Sequence, residues 1–316
     1  MDTENPTPSK TYWLCPLYSF NCDCESVDLA KGTQIKPALD KLRKYIGERT
    51  YHLYGRWEDP SKFDWAAFLP YPTRANEGTI THRMAIGMEE WDTASESLVD
   101  LITALKLCHK GRVTAGPLIS ASIHNSEWSI GGGTIWTHVS KRDFIHEEPK
   151  YAFRQPDVFE VNNLLQNIRQ WRKDGVLKII DVALRRFHSA YHGDIEDRII
   201  DQMIAFESLY LGDPQELTYK LALRTAFLLG KRKDKRKAIF SDMKKAYDYR
   251  SRIVHGGSPP SRDELGGIVP KTEDYLRQSI RRFLLLLSQE NSLKEIREKL
   301  LDENIIKNGK FLALGD

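Results

Sequence analysis

The spacing of apolar residues changes at about residue 156, and this change limits the possible folds more than any other feature. Before it, short apolar runs stand between turn residues, as in strands and hairpins. After it, apolar residues recur at steps of three and four, which is typical of amphipathic helices. A chain of 316 residues also exceeds what one hydrophobic core usually covers. We therefore predict an α+β protein, in which a mixed α/β domain precedes an all-α helical bundle.

The first predicted domain spans residues 1–152. The run Gly131-Gly132-Gly133 lies between two strand patterns and is interpreted as a turn. No motif assigns this domain a task, and we expect it to sense a trigger or to bind a regulatory protein or ligand. Its strand patterns lie at residues 11–20, 112–130 and 133–140. Its helical patterns lie at residues 35–46 and 92–107.

The second predicted domain is the helical bundle of residues 157–290, followed by a C-terminal helix and tail at 291–316. Asp213 can cap one of its helices, Pro214 suits the first helical position, and Glu216 stands three residues after the cap. The predicted helices cover about 157–192 (with a break at Asp174-Gly175), 194–211, 213–230, 238–254 and a last one from 272.

The net charge of +3 is unevenly distributed. Residues 1–150 contain 17 Lys and Arg against 20 Asp and Glu, whereas residues 151–316 contain 30 against 24. The basic excess therefore belongs to the helical half, where it favours a polyanionic partner such as RNA.

The sequence contains neither a membrane span nor a secretory signal. It has no run of 18 apolar residues, and its first ten residues are polar. We therefore expect a cytoplasmic protein that makes no membrane contact.

The four cysteines give no metal-binding pattern. Cys22 and Cys24 are separated by one residue and not by the two of a zinc knuckle, and no second pair of cysteines or histidines completes four ligands. Free thiols are expected in a reducing cytoplasm, and we predict neither a metal nor another cofactor. The two other cysteines are Cys15 and Cys108.

Two charged residues interrupt apolar helical stripes. Glu207 follows Ile200, Met203 and Ile204, and Arg224 lies between Leu221 and Leu228. A charge in such a position must be paired or must face a functional cleft. The two residues therefore either form a structural ion pair between consecutive helices or line a polar site.

A cluster of polar residues closes the helix that ends near Val254. It contains Tyr247, Arg250, Ser251, Arg252 and His255. Histidine moves protons near neutral pH, and arginine holds a phosphate in two-point contact. RNA cleavage without a metal needs both proton transfer and stabilisation of the phosphate charge. From its position alone, such a histidine is more often a C-cap residue that satisfies the terminal carbonyls of the helix.

Arg250 and His255 are five positions apart, which is about 140° around an ideal helix. They would share a face only if the last turn were distorted near Gly256, or a two-fold dimer could bring both from two chains to one cleft.

Several segments in order resemble the HEPN superfamily, and its Apea-like branch most closely. They are DRIIDQMIAFESLYLGD, ELTYKLALRTAFLLG and KKAYDYRSRIVHGG, within about residues 157–290. The resemblance implies a bundle of four or five helices that dimerises through the face carrying an arginine–histidine motif. It assigns Arg250 and His255 as the catalytic pair of a metal-independent endoribonuclease, with Ser251, Arg252, Tyr247, Glu207 and Arg224 in supporting positions.

The resemblance also implies 2′,3′-cyclic phosphate products and a role in antiviral defence or as a toxin. Some members are inactive, so the alternative is a non-catalytic scaffold that binds RNA or a nucleotide, or only dimerises. Beside such a site, the basic run 231–237 becomes a candidate for phosphate contacts; its basic residues are Lys231, Arg232, Lys233, Lys235, Arg236 and Lys237.

Overall fold

The computed structural model describes residues 10–50, 61–70, 88–124, 126–135, 150–212, 216–289, 291–303 and 305. The chain divides into two compact units, residues 1–167 and 168–316. The first contains β-sheets with helices and the second is helical, so the predicted α+β class is confirmed. None of the helices in the described residues is long and apolar enough to cross a bilayer.

The first unit is built on an antiparallel sheet in the order β3-β4-β5-β1-β7-β8, with β6 also paired to β1. β2 and β9 form a separate parallel pair. The strands are β1 (Lys10–Tyr18), β2 (Phe20–Cys22), β3 (Val27–Asp28), β4 (Gln34–Pro37), β5 (Trp65–Pro70), β6 (Thr114–Ala115), β7 (Leu118–His124), β8 (Glu127–Ile135) and β9 (Tyr151–Phe153). The helices are a 3-10 turn at Ala30–Gly32, α1 (Asp40–Thr50) and α2 (Met88–Cys108).

β1 is central because its apolar run leaves no polar face. Leu14 packs in a cluster with Leu42 and Ile46 of α1, while Trp13 and Leu17, which point to the other face, are fully buried as well. A strand covered on both faces contributes core on both sides, which explains why this run is continuously apolar.

Two local predictions in this unit are wrong. Gly131-Gly132-Gly133 lies within β8 and not in a turn, because β8 continues past an irregularity in its pairing with β7. Gly131 has φ +150°, which glycine tolerates in such a bulge. The helix predicted at 35–46 begins only at Asp40, because Ile35 pairs with Ala67 of β5. Residues 136–140 of the last strand pattern lie outside the described residues.

In the helical unit, α6 packs against α5, α7, α8 and α9. The predicted break at Gly175 is confirmed, since this residue has φ +77° between two helices. The helices are α3 (Asp157–Lys173), which contains the division between the units, α4 (Val176–Ile179), α5 (Asp181–Ser189), α6 (Ile195–Tyr210), α7 (Leu217–Leu229), α8 (Lys233–Val254), α9 (Arg262–Leu287) and α10 (Leu293–Glu295).

Three of these helices begin at other residues than predicted. α7 starts at Leu217 after Glu216, whose φ is +53°; Asp213 and Pro214 lie outside the described residues. α8 starts at Lys233, so most of the basic run is helical. α9 starts at Arg262 because Ser261 and Glu264 form a capping box. Pro270 is accommodated inside α9, where the carbonyl that loses its donor belongs to exposed Gly266.

The C-terminal segment after α10 continues as a π-helix at Ile296–Glu303 and packs on the bundle. Ile296 is fully buried, and Arg297 donates to the carbonyls of Leu209 and Ser208 at the end of α6 (2.9 and 2.7 Å). These carbonyls have no partner within their own helix, so the segment completes the end of α6.

Candidate active site at the end of helix α8

The candidate site lies where the last turns of α8 pass α6. Tyr247 and Arg250 are three residues apart and therefore neighbours on the surface of α8. The guanidinium carbon of Arg250 lies 5.9 Å from the centre of the Tyr247 ring. Both side chains face Glu207 of α6, so the structure brings together three of the predicted site residues.

Glu207 and Arg250 form a long ion pair. Glu207 Oε2 lies 4.0 Å from Arg250 Nη2, and the two side chains are 25% and 20% exposed. Tyr247 forms a hydrogen-bonding contact with the same carboxylate. Burial and the charge of Glu207 raise the pKa of Tyr247, against the opposing effect of Arg250. The phenol therefore stays protonated and donates to Glu207.

Arg250 keeps unused hydrogen-bonding capacity. Its Nε is buried and donates to no residue in the described parts of the chain. A guanidinium has five N–H donors, and the 4.0 Å contact exceeds hydrogen-bonding distance. The residue is thus positioned by Glu207 and Tyr247, and its partly exposed guanidinium keeps terminal N–H donors that no described residue uses.

His255 is exposed at the C-terminal end of α8. Its backbone N–H donates to the Ser251 carbonyl (3.0 Å), and its φ of −102° and ψ of 12° depart from the helix. Its imidazole forms no hydrogen bond or ion pair with the described residues. The backbone, and not the side chain, thus caps the helix.

The loop after His255 is fixed by backbone geometry and by Arg252. Gly256 has φ +75°, and the N–H of Gly257 donates to the carbonyl of Arg252 (3.0 Å), as in a Schellman ending. Arg252 donates from Nε to the carbonyl of Ser258 (2.7 Å). This arginine therefore holds the loop that follows His255.

The expected pairing of Glu207 with Arg224 is wrong. Arg224 is buried and binds the carboxylate of Asp302 through Nε and Nη2 (2.8 and 2.6 Å), and it also donates to the Tyr210 carbonyl. The sequence could not indicate Asp302 because that residue lies 78 positions away in a segment interpreted as a tail. Arg224 consequently belongs to a separate cluster with Asp302 and Arg297.

The basic run 231–237 is split between engaged and exposed side chains. Arg232 pairs with Asp234 (2.5 Å), and this contact lowers the pKa of Asp234 to about 2. Arg236 donates to the Gly230 carbonyl (2.9 Å) and covers the Phe227 ring (4.6 Å). The exposed lysines of the run are Lys231, Lys233, Lys235 and Lys237.

This arrangement can bind an anion and exchange a proton. Arg250 offers charged donors, and His255 offers an exposed imidazole, which is the kind of group that serves as a general acid or base. Each chain contributes one copy of His255. Comparison of the chain with protein-family models, with curated proteins and with solved structures finds no match.

Proposed function

We propose that the helical unit is a metal-independent endoribonuclease of the HEPN type. The observation that supports this best is the pairing of a positioned arginine with an exposed histidine at one helix end. Glu207 and Tyr247 position Arg250 without using its donors, and the imidazole of His255 is accessible. A helix that needed these residues only for stability would use those donors internally.

In the proposed reaction the 2′-oxygen of a ribose attacks the adjacent phosphorus, and the bond from phosphorus to the 5′-oxygen breaks. A base takes the 2′ proton, an acid supplies a proton to the leaving oxygen, and Arg250 stabilises the charge on the phosphoryl oxygens. The products carry 2′,3′-cyclic phosphate and 5′-hydroxyl ends.

A homodimer fits this reaction better than a monomer. The mechanism uses one base and one acid, and two chains related by a two-fold axis would provide two copies of His255 in one cleft. Val254, next to His255, is exposed although apolar, which suits a surface covered by a second chain.

We place this activity in the cytoplasm, in antiviral defence or as a toxin. The exposed lysines Lys233, Lys235 and Lys237 would contact RNA phosphates, and Ser251 and Arg252 would support the site. The first unit would bind the ligand or regulatory protein that controls cleavage.

The test is cleavage of 5′-labelled RNA in EDTA by the wild-type chain, His255→Ala and Arg250→Ala. We expect fragments with cyclic phosphate ends from the wild type and losses of about 100-fold or more in both variants. Ser241→Ala, an exposed substitution earlier in α8, serves as a control that retains activity. Cleavage that persists in both variants would contradict the proposal.

The alternative is a non-catalytic HEPN scaffold that binds RNA or a nucleotide, or only dimerises. The observation in its favour is that Glu207 offsets the charge of Arg250. A wild-type chain that binds RNA and dimerises but leaves the RNA intact would support this alternative.

A further inference from the structure

A second group of reactive side chains lies in the first unit, at the contact between the end of α2 and the start of α3. Cys108 is the last residue of α2, His109 follows it, and Glu160 lies in the first turn of α3. The ligand atoms of these three residues all lie within 4.8 Å of one another. One sulfur, one nitrogen and one oxygen donor thus converge from two helix ends.

His109 lies against a fourth residue with a carboxylate. Its Nε2 lies 2.8 Å from Oδ1 of Asp157, which is buried. Asp157 is held in turn by the backbone N–H of Arg154 (2.8 Å). Metal-binding histidines commonly use their second ring nitrogen in this way, because the carboxylate fixes the ring and raises its basicity.

The donor set determines which ion would suit the group. Thiolate and imidazole favour zinc over magnesium or calcium, which prefer oxygen ligands. Zinc also accepts carboxylate oxygen and takes four ligands in a tetrahedron. Three protein ligands would leave the fourth position to water.

The described residues contain one other group of this kind, and it is less suitable. Cys22, Asp23 and Cys24 are consecutive, so all three ligand atoms come from one short segment. The carboxylate of Asp23 already accepts from the backbone N–H of Gln155 (3.1 Å) and from the Cys24 thiol (3.3 Å). Cys22 and Cys24 stand out in the sequence because they are separated by one residue. Cys108 and Glu160 do not, because they are 52 positions apart and come together only in the fold.

We propose that Cys108, His109 and Glu160 form a zinc site, with Asp157 as the residue that positions His109. The ion would join the end of α2 to the start of α3 within the first unit. This site is separate from the proposed nuclease chemistry, which uses no metal.

The test is zinc titration of the chelator-stripped chain in competition with a chromophoric chelator. We expect one zinc ion per wild-type chain, and a thiolate-to-metal charge-transfer band when cobalt replaces zinc. Cys108→Ser and Glu160→Gln should weaken binding by at least the roughly 10- to 100-fold that loss of an orienting residue costs. Cys24→Ser is the matched control and should bind zinc as the wild type does.

Thermal unfolding of the same proteins separates binding from misfolding. Zinc should raise the Tm of the wild type and of Cys24→Ser, and should leave that of Glu160→Gln almost unchanged. Glu160 is half-buried, so this substitution should preserve the fold even if Cys108→Ser does not. Zinc uptake that is absent in the wild type, or that disappears in Cys24→Ser and persists in Glu160→Gln, would overturn the proposal.

Discussion

Two arginines of the helical unit lie in comparable half-apolar positions but use their donors differently. Arg224 in α7 binds both oxygens of Asp302 and the Tyr210 carbonyl. Arg250 in α8 has one ion-pair contact at 4.0 Å, and its buried Nε donates to none of the described residues. Complete pairing indicates a structural arginine, whereas incomplete pairing next to an exposed histidine leaves an arginine available to a substrate.

The largest effect should come from removing the partner of the buried arginine. Asp302 is 39% exposed but binds the buried guanidinium of Arg224 through two hydrogen bonds, so we expect Asp302→Ala to cost about 2 kcal/mol in the free energy of unfolding. Denaturant unfolding measures this. Asp248→Ala removes an exposed partner of Arg252 and should cost no more than about 0.5 kcal/mol. Similar losses in the two variants would contradict the structural role of Arg224.

Removing the partner of Arg250 should affect RNA cleavage more than it affects stability. Glu207→Gln removes a half-exposed ion pair and should change stability by less than about 1 kcal/mol. If Glu207 positions Arg250, RNA cleavage should slow by about 10- to 100-fold. Single-turnover rates at saturating RNA would show this in kcat and not in KM. Partial rescue by Glu207→Asp would support a positioning role; an unchanged rate would contradict it.

The third prediction concerns the phenol that holds Glu207. Tyr247→Phe removes one hydrogen bond and should cost about 1 kcal/mol at neutral pH. The pKa of Tyr247 is raised above its ordinary value of 10, by burial and by Glu207. Its contribution is therefore complete below pH 10 and is lost as the pH rises through the folded-state pKa. The free energy of unfolding of wild type and variant should be measured at neutral pH and at a pH above 10. The difference between the two proteins should be smaller at the higher pH; a constant difference would argue against this contact.

The smallest effect should distinguish exposed from engaged basic residues. Lys237→Gln should reduce the salt dependence of RNA binding by about one unit in the slope of log K against log salt. Arg236→Gln removes the same charge, but Arg236 is held by Gly230 and Phe227, so this variant should lose stability and keep the slope. A slope for Lys237→Gln equal to that of the wild type would show that Lys237 does not contact a phosphate.

The α+β class and the break at Gly175 could be predicted because they depend on local periodicity and on glycine. The start of α1 could not, since residues 34–37 pair with a distant strand. The start of α9 could have been found from Ser261 and Glu264, which match the capping-box pattern.

The candidate site was partly predictable for the same reason. Tyr247, Arg250 and His255 are close in sequence, and helical geometry places Tyr247 beside Arg250. The predicted partner of Glu207 was wrong because both helices next to α6 carry an arginine, Arg224 on α7 and Arg250 on α8. Only the packing of the helices decides that Glu207 pairs with Arg250. Asp302 and Glu160 depend on contacts between distant segments, which no local pattern encodes.

The pairing of Arg224 with Asp302 also bears on the order in which the protein is made. During translation, α7 is complete well before residue 302 is added, since the two partners are separated by 78 positions. A nascent bundle would therefore lack this ion pair until residue 302 emerges from the ribosome. The segment at Ile296–Glu303, which contains Asp302, is added late in synthesis, so the bundle reaches its full stability only after this segment has been made.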